Sequence, residues 1–137
     1  MHDIIKFNEK KTPYVHLDQD KGYIELRGSS FMLDTHAFYD PILDWVYDYV
    51  RHPKDTLFNI DLEFFNSSSA KILVTILKTL SKIQVSGHKL TVNWFYDEDD
   101  EDIKDAGYSF AIMSKIKINL IRKKQDLAKP ALFRKEC

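Results

Sequence analysis

The sequence predicts an α/β domain in which helices pack on a mixed β-sheet of about five strands. Apolar residues alternate with a period of two in several short segments, and they recur at helical spacing in the longer stretches between them. The first two short segments follow each other directly, whereas the later ones are separated by helical patterns. The expected order is therefore β-β-α-β-α-β-α-β, and a chain of 137 residues fits one domain with one core.

The first half of the chain predicts a hairpin followed by a helix. Residues 14–17 and 22–27 alternate, and the polar turn between them ends in Gly22, which is typical of a β-hairpin. A helix is then expected with Pro41 in its first turn and its end near Pro53. Its apolar positions are Phe38, Ile42, Trp45, Val46 and Tyr49.

The second half alternates strands with helices. A strand is expected over residues 57–65, and a helix ending at Gly87 follows it. That helix has an apolar stripe of Ile72, Leu73, Ile76, Leu77, Leu80 and Ile83. Residues 90–94 predict the next strand, an acidic run at 97–102 predicts the start of a helix, and residues 116–120 predict the last strand.

Charge is unevenly distributed along the chain. Residues 1–111 carry 12 Lys or Arg and 19 Asp or Glu, whereas residues 112–137 carry 8 and 2. A basic terminal segment with little apolar periodicity is typical of a solubilising tail, so we expect no nucleic-acid partner. The only cysteine is Cys137, and no signal peptide or membrane-spanning run is recognised, which predicts a cytoplasmic protein without membrane insertion.

The motifs of common catalytic and cofactor sites are missing from the sequence. Its four glycines are dispersed and make no phosphate-binding loop, and its histidines lack the spacing of a zinc site. The acidic run lacks the alternating ligands and the central glycine of a calcium loop. We therefore predict no cofactor, no metal and no enzymatic activity; the open alternatives are a hydrolase using Ser67 and a metal-dependent enzyme using Asp97–Asp102.

One polar cluster stands where a strand is expected to meet a helix, at Asn66–Ser69. Asn66 or Ser67 would cap the helix by accepting a backbone N–H bond, a contribution on the order of 1 kcal/mol. A hydroxyl on this turn is also expected to be exposed next to the unpaired amides of the helix start, where a phosphate is well placed. The residues alone leave both interpretations open.

Three segments in this order carry a resemblance: Asp40–Trp45, Phe64–Lys71 and Val92–Asp100. They resemble the SiaC family of bacterial regulatory phosphoproteins over residues 12–121, which leaves an N-terminal segment at 1–11 and a basic tail at 122–137. The element order also resembles that of STAS domains, the fold of anti-sigma factor antagonists.

The resemblance implies a protein without catalytic activity that acts by docking. In this family the unphosphorylated form binds and activates a diguanylate cyclase, which raises cyclic di-GMP and favours biofilm or aggregation. A serine/threonine kinase switches the protein off, and a PP2C-type phosphatase restores it. The family's phosphoacceptor is usually a threonine after an asparagine, and that position maps onto Ser67.

Ser68 and Ser69 are the alternative acceptors, with Ser68 the nearer rival. The expected partner-binding residues are Asn66, Ser67, Ser68, Ser69 and Lys71. A second hypothesis keeps the fold but changes the partner, making the protein an anti-sigma factor antagonist or another STAS-type adaptor that controls transcription.

Overall fold

The computed structural model describes residues 3–123 as one six-stranded sheet with four helices. The predicted mixed-sheet α/β class is confirmed. The strands are β1 (Ile4–Lys6), β2 (Tyr14–Asp18), β3 (Tyr23–Ser30), β4 (Thr56–Phe65), β5 (Leu90–Tyr96) and β6 (Asn119–Arg122). The helices are α1 (Thr35–Tyr49), α2 (Ser67–Leu80), α3 (Lys82–Val85) and α4 (Glu101–Ser114).

The strands lie in the sheet in the same order as in the chain, β1 to β6. Neighbours are antiparallel from β1 to β3 and parallel from β3 to β6. Each parallel connection therefore moves one strand in the same direction, and right-handed crossovers then place α1, α2 and α4 on the same face.

The core lies between that face and the helices. Alternate strand residues such as Val15, Ile24, Phe58 and Trp94 are buried, and they pack in one cluster with the apolar faces of the helices. The apolar stripe predicted for the second helix, from Ile72 to Ile83, is buried as well. The strand residues between these buried positions have their side chains on the opposite face of the sheet, which no helix covers. They are partly or fully exposed.

The sheet has one strand more than the predicted number of about five. The additional strand is β1, whose residues pair with Val15–Leu17 at the edge of the sheet, although the sequence analysis placed them in the segment 1–11. Three residues are too short a segment to show a period, so the pairing is decided by the neighbouring strand. Within the predicted tail 122–137, Arg122 ends β6, and residues 124–137 lie outside the described chain.

The predicted position of Pro41 in a first helical turn is wrong. Helix α1 begins earlier, at Thr35, because the side chain of Asp34 accepts a hydrogen bond from Ala37 N at 3.0 Å and caps it. Pro41 therefore lies inside the helix. Its missing N–H leaves one helical bond unmade, and this cost is offset by burial of the apolar face of α1.

Two other boundaries also differ from the prediction. The helix expected to run to Gly87 divides at Ser81 into α2 and the short α3. The last strand begins at Asn119 rather than at residue 116, because Lys115 adopts a left-handed conformation with φ of 59° and ends α4. Ile116 is buried in the connection that follows.

Gly107 allows α4 to pack closely on β5 and β6. A Cβ atom at this position would lie 2.5 Å from Leu120 Cδ2 and 2.7 Å from Trp94 Cδ1. Because both neighbours lie in the core, a larger residue would push the helix away from the sheet. Among residues 3–123, no helix is long and apolar enough to cross a bilayer.

Candidate functional site

The site predicted from sequence lies at the edge where the parallel strands end, which we call the carboxyl edge. Strands β3, β4, β5 and β6 end there at Ser30, Phe65, Tyr96 and Arg122. The loops that follow these strands therefore share one side of the molecule, as in other open α/β sheets. The start of α2 and the acidic run 97–102 both belong to this edge.

Asn66 joins α2 to the neighbouring loop. Its Oδ1 accepts from Ser69 N at 2.9 Å, which confirms the capping interpretation for Asn66. Its Nδ2 donates to Met32 O at 3.2 Å, and its backbone N–H donates to Ser30 O at 3.0 Å. One side chain thus fixes both the helix start and the β3–α1 loop.

Ser67 and Ser68 are the first two residues of α2, and both are exposed. Within the described chain neither hydroxyl takes part in a side-chain hydrogen bond, so both are available to an enzyme. Ser68 borders a groove of about 500 Å³ whose walls include Leu33, His36 and Lys71. Exposure therefore does not decide between Ser67 and Ser68 as the predicted phosphoacceptor.

Ser69 differs from its two neighbours because its side chain points into the core and is only 3% exposed. Its Oγ accepts from Ser30 Oγ at 2.8 Å, and Ser30 Oγ lies 2.6 Å from the hydroxyl of Tyr39. Ser69 in turn donates to Met32 Sδ at 3.8 Å. Burial raises the pKa of Tyr39 to about 12, although the bond to Ser30 opposes the shift.

The buried position of Ser69 bears on two expectations, that it is an alternative acceptor and that it contacts a partner. In the folded protein its hydroxyl is covered, whereas those of Ser67 and Ser68 are exposed. Lys71, in contrast, is exposed on the wall of the groove beside Ser68, where a partner can reach it.

Exposed apolar side chains flank the start of α2. Leu33 is 97% exposed and Phe64 is 53% exposed, and the Phe64 ring packs edge-to-face on Phe31 with centroids 5.3 Å apart. Together with Ser67, Ser68 and Lys71, Leu33 and Phe64 form what we call the switch surface. Exposed apolar residues rimmed by polar side chains are typical of a protein-binding surface.

Three of the six residues in the acidic run 97–102 form local contacts. Asp97 pairs with Lys123 at 3.4 Å, Glu98 pairs with Arg122 at 3.4 Å, and Asp100 caps α4 by accepting from Ile103 N at 3.1 Å. In the part of the chain that the structure describes, no cluster of three or more His, Cys, Asp or Glu side chains is arranged to hold a metal ion. Within the same residues no hydrogen bond joins Ser67 to a histidine, the arrangement that an activated serine needs.

The profile described as "SiaC family regulatory phosphoprotein" matches residues 7–123. The chain belongs to the SiaC family. An uncharacterized protein of Pseudomonas aeruginosa is 24% identical over 123 residues, which cover 83% of this chain and 98% of that protein.

Solved structures of SiaC from Pseudomonas aeruginosa share the fold of this family member. Apo-SiaC is 19% identical and superposes with a TM-score of 0.77 over 90% of this chain and 100% of that one. The SiaC in the crystal structure of the diguanylate cyclase SiaD with its activator SiaC is 20% identical, with a TM-score of 0.82 over 88% of this chain and 100% of that one.

Sequence reasoning missed three parts of the site in this SiaC-family chain: Ser30, Leu33 and Tyr39. Ser30 ends a strand and Leu33 lies in a loop, where no period indicates which side chains are buried. Tyr39 precedes Pro41 in a helix whose start was placed too late, so its inward position was not recognised. A helix begun at Asp34 would have placed Tyr39 on the same face as Ile42 and Val46.

Proposed function

We propose that this protein is a non-catalytic regulator that binds and activates a diguanylate cyclase while Ser67 is unphosphorylated. Raised cyclic di-GMP would then promote biofilm formation or aggregation. Membership of a family of regulatory phosphoproteins supports the proposal, as does the solved complex in which SiaC is described as the activator of the cyclase SiaD. The observation that carries it is the exposed Ser67 on the first turn of α2, at an edge of the sheet where the apolar side chains of Leu33 and Phe64 are also exposed.

Phosphorylation at Ser67 would change docking without unfolding the domain. A phosphate carries nearly two negative charges, and a helix N-terminus tolerates it because the first-turn amides and the helix dipole favour an anion. A partner that packs on Leu33 and Phe64 would have to cover that charge. Burying an unpaired, hydrated phosphate is costly, so the cyclase would dissociate.

The switch requires two further partners, a serine/threonine kinase and a PP2C-type phosphatase, and we place this exchange in the cytoplasm. In the proposed interface Ser67, Ser68 and Lys71 contact the cyclase directly, whereas Asn66 positions the helix start. Ser69 contributes only from below, by holding that start against Ser30.

An affinity capture with two Ser67 variants tests this function. Ser67→Ala keeps the surface uncharged and is expected to retain a diguanylate cyclase. Ser67→Asp is expected to retain at least tenfold less cyclase, which corresponds to a loss of about 1.4 kcal/mol of binding free energy. Ser86→Asp is the matched control, since it places the same charge on an exposed serine at the end of α3, at the opposite edge of the sheet. Equal retention by both Ser67 variants would contradict the switch, and retention of a sigma-factor inhibitor in place of a cyclase would favour the transcriptional adaptor.

Phosphate incorporation locates the acceptor independently of the partner. The kinase is expected to label the wild type and Ser68→Ala, and to leave Ser67→Ala unlabelled. If only Ser68→Ala loses the label, the switch remains but its acceptor is Ser68, which borders the groove with Lys71.

A further inference from the structure

A second groove lies at the carboxyl edge, on the opposite side of Phe64 from the loop that carries Leu33. It has a volume of about 320 Å³ and combines apolar and acidic walls: Glu63, Phe64, Phe65, Asp100, Asp102 and Ile103. Within residues 3–123 neither Glu63 nor Asp102 forms an ion pair, and both are exposed. The acidic groove therefore presents uncompensated negative charge beside an exposed aromatic ring.

The chain itself supplies a segment of matching chemistry. Residues 124–137 carry Lys124, Lys129, Arg134 and Lys135 against Asp126 and Glu136, and they also contain Leu127, Leu132 and Phe133. This segment lies beyond the match to the SiaC family, which ends at residue 123. It is therefore an addition to the family domain.

The last described residues place the start of this segment at the carboxyl edge, the same edge as the acidic groove. Arg122 pairs with Glu98, and Lys123 Nζ contacts both Asp61 at 2.9 Å and Asp97 at 3.4 Å. Partial burial opposes protonation of Lys123, but the hydrogen bond and charge of Asp61 and the charge of Asp97 outweigh it and raise the pKa. The side chain of Lys123 thus reaches Asp61 on β4, two positions before Glu63.

We propose that the basic segment 124–137 occupies the acidic groove of its own domain. Its lysines and arginine would face Glu63 and Asp102, and its apolar residues would cover Phe64. Fourteen residues span up to roughly 46 Å when extended, so the segment is long enough to reach across two neighbouring strands spaced about 4.8 Å apart. Attraction between opposite charges at an exposed surface is screened by salt, so the contact is reversible.

The contact has a consequence for docking, which rests on the proposed function. Phe64 belongs to both the acidic groove and the switch surface, so a bound segment would cover part of the surface offered to the cyclase. The segment would act as a competitor that the partner must displace. The contact itself does not depend on the identity of that partner.

Cys137 makes the contact measurable without a mutation, because it is the only cysteine and the last residue of the segment. A nitroxide attached to Cys137 of the full chain is expected to remove the amide signals of Phe64, Phe65 and Ile103 from the NMR spectrum. Reduction of the nitroxide should restore them. Raising the salt toward about 1 M, where the Debye length is ~3 Å, should restore them as well if charge attraction holds the segment.

Two matched pairs of neutral substitutions test the charges. Glu63→Gln with Asp102→Asn removes two charges from the groove and is expected to abolish the broadening. Asp20→Asn with Asp44→Asn removes the same charge from exposed positions on the β2–β3 turn and on α1, and is expected to leave the broadening unchanged. Asp100 is kept in every variant because it caps α4.

The outcomes separate this contact from the proposed function. The proposal is overturned if the broadening is limited to the surroundings of Lys123 and is equal in both variant pairs and in high salt. The acidic groove would then be open to a partner. Broadening centred on another surface would overturn the proposal equally. The Ser67 variants leave the charges of the acidic groove unchanged, so we expect the same broadening in them as in the wild type. Failure of the phosphorylation switch and failure of the contact are therefore distinguishable.

Discussion

At the scale of single residues, three adjacent serines have two different fates. Ser67 and Ser68 are exposed, whereas Ser69 is buried at the centre of a chain of hydrogen bonds that includes Ser30 and Tyr39. The difference follows from the rotation of the helix. Ser69 precedes Ile72 and Leu73 by three and four residues, so it extends the apolar stripe of α2 back to its first turn.

This burial was predictable from the sequence, but residue type concealed it. The stripe from Ile72 to Ile83 is recognisable because its members are apolar, whereas the serine at the same phase is predicted to be an alternative acceptor and a partner contact. Leu33 shows the opposite case. Its type suggests burial, yet it is 97% exposed in a loop that carries no period, so only the structure places it on the switch surface.

Alanine substitutions measure the difference between the serines. Ser69→Ala removes one acceptor of Ser30 Oγ and is expected to lower the free energy of unfolding by about 1 kcal/mol, because a buried hydrogen bond is lost while Ser30 keeps its contact with Tyr39. Ser68→Ala should change it by no more than about 0.5 kcal/mol, as for other exposed positions. Chemical denaturation of both variants checks this, and equal stabilities would show that the buried chain contributes little.

At the scale of elements, period and capping explain which parts of the fold were predictable. The strands β2 to β5 and helix α2 show long, clean periods, and the sequence predicts them within a few residues. The first strand is three residues long, and α1 contains Pro41, so local signals there were absent or misleading. In both cases packing against a neighbouring element decides the structure.

The start of α2 depends on both the oxygen and the nitrogen of the Asn66 side-chain amide. Asn66→Ala loses the cap to Ser69 N and the bond to Met32 O, and is expected to lower the free energy of unfolding by about 1–2 kcal/mol. Asn66→Asp keeps an acceptor for the cap and loses only the donor, so it should retain most of the stability. Thermal unfolding of the two variants provides the comparison, and similar losses in both would mean that the tie to the loop, rather than the cap, stabilises the helix start.

At the scale of the whole molecule, the helices cover one face of the sheet, and the uncovered face is stabilised by hydrogen bonds between polar side chains. A row of hydrogen bonds crosses that face from Tyr23 through Asn59 and Asn93 to Asn119, with distances of 3.4, 3.0 and 3.1 Å. Polar side chains on alternate strand positions are typical of a sheet with one face in water. The carboxyl edge, where the loops after β3, β4 and β5 meet, is thus left as the place where apolar side chains are exposed and function is expected.

The pH dependence of the free energy of unfolding should reveal the burial of Tyr39 below the start of α2. Because the pKa of Tyr39 is about 12 in the folded protein and 10.0 when unfolded, the contribution of its protonated hydroxyl is complete below pH 10.0 and declines as the pH rises toward 12. Tyr39→Phe keeps the buried ring but loses the bond to Ser30, so the variant should be less stable at neutral pH. The stability gap between wild type and variant is then expected to narrow by on the order of 2 kcal/mol across this alkaline interval. Denaturation midpoints measured for both proteins over the interval decide the matter, since a gap that stays constant would mean that Tyr39 titrates normally and that its hydroxyl is accessible to water.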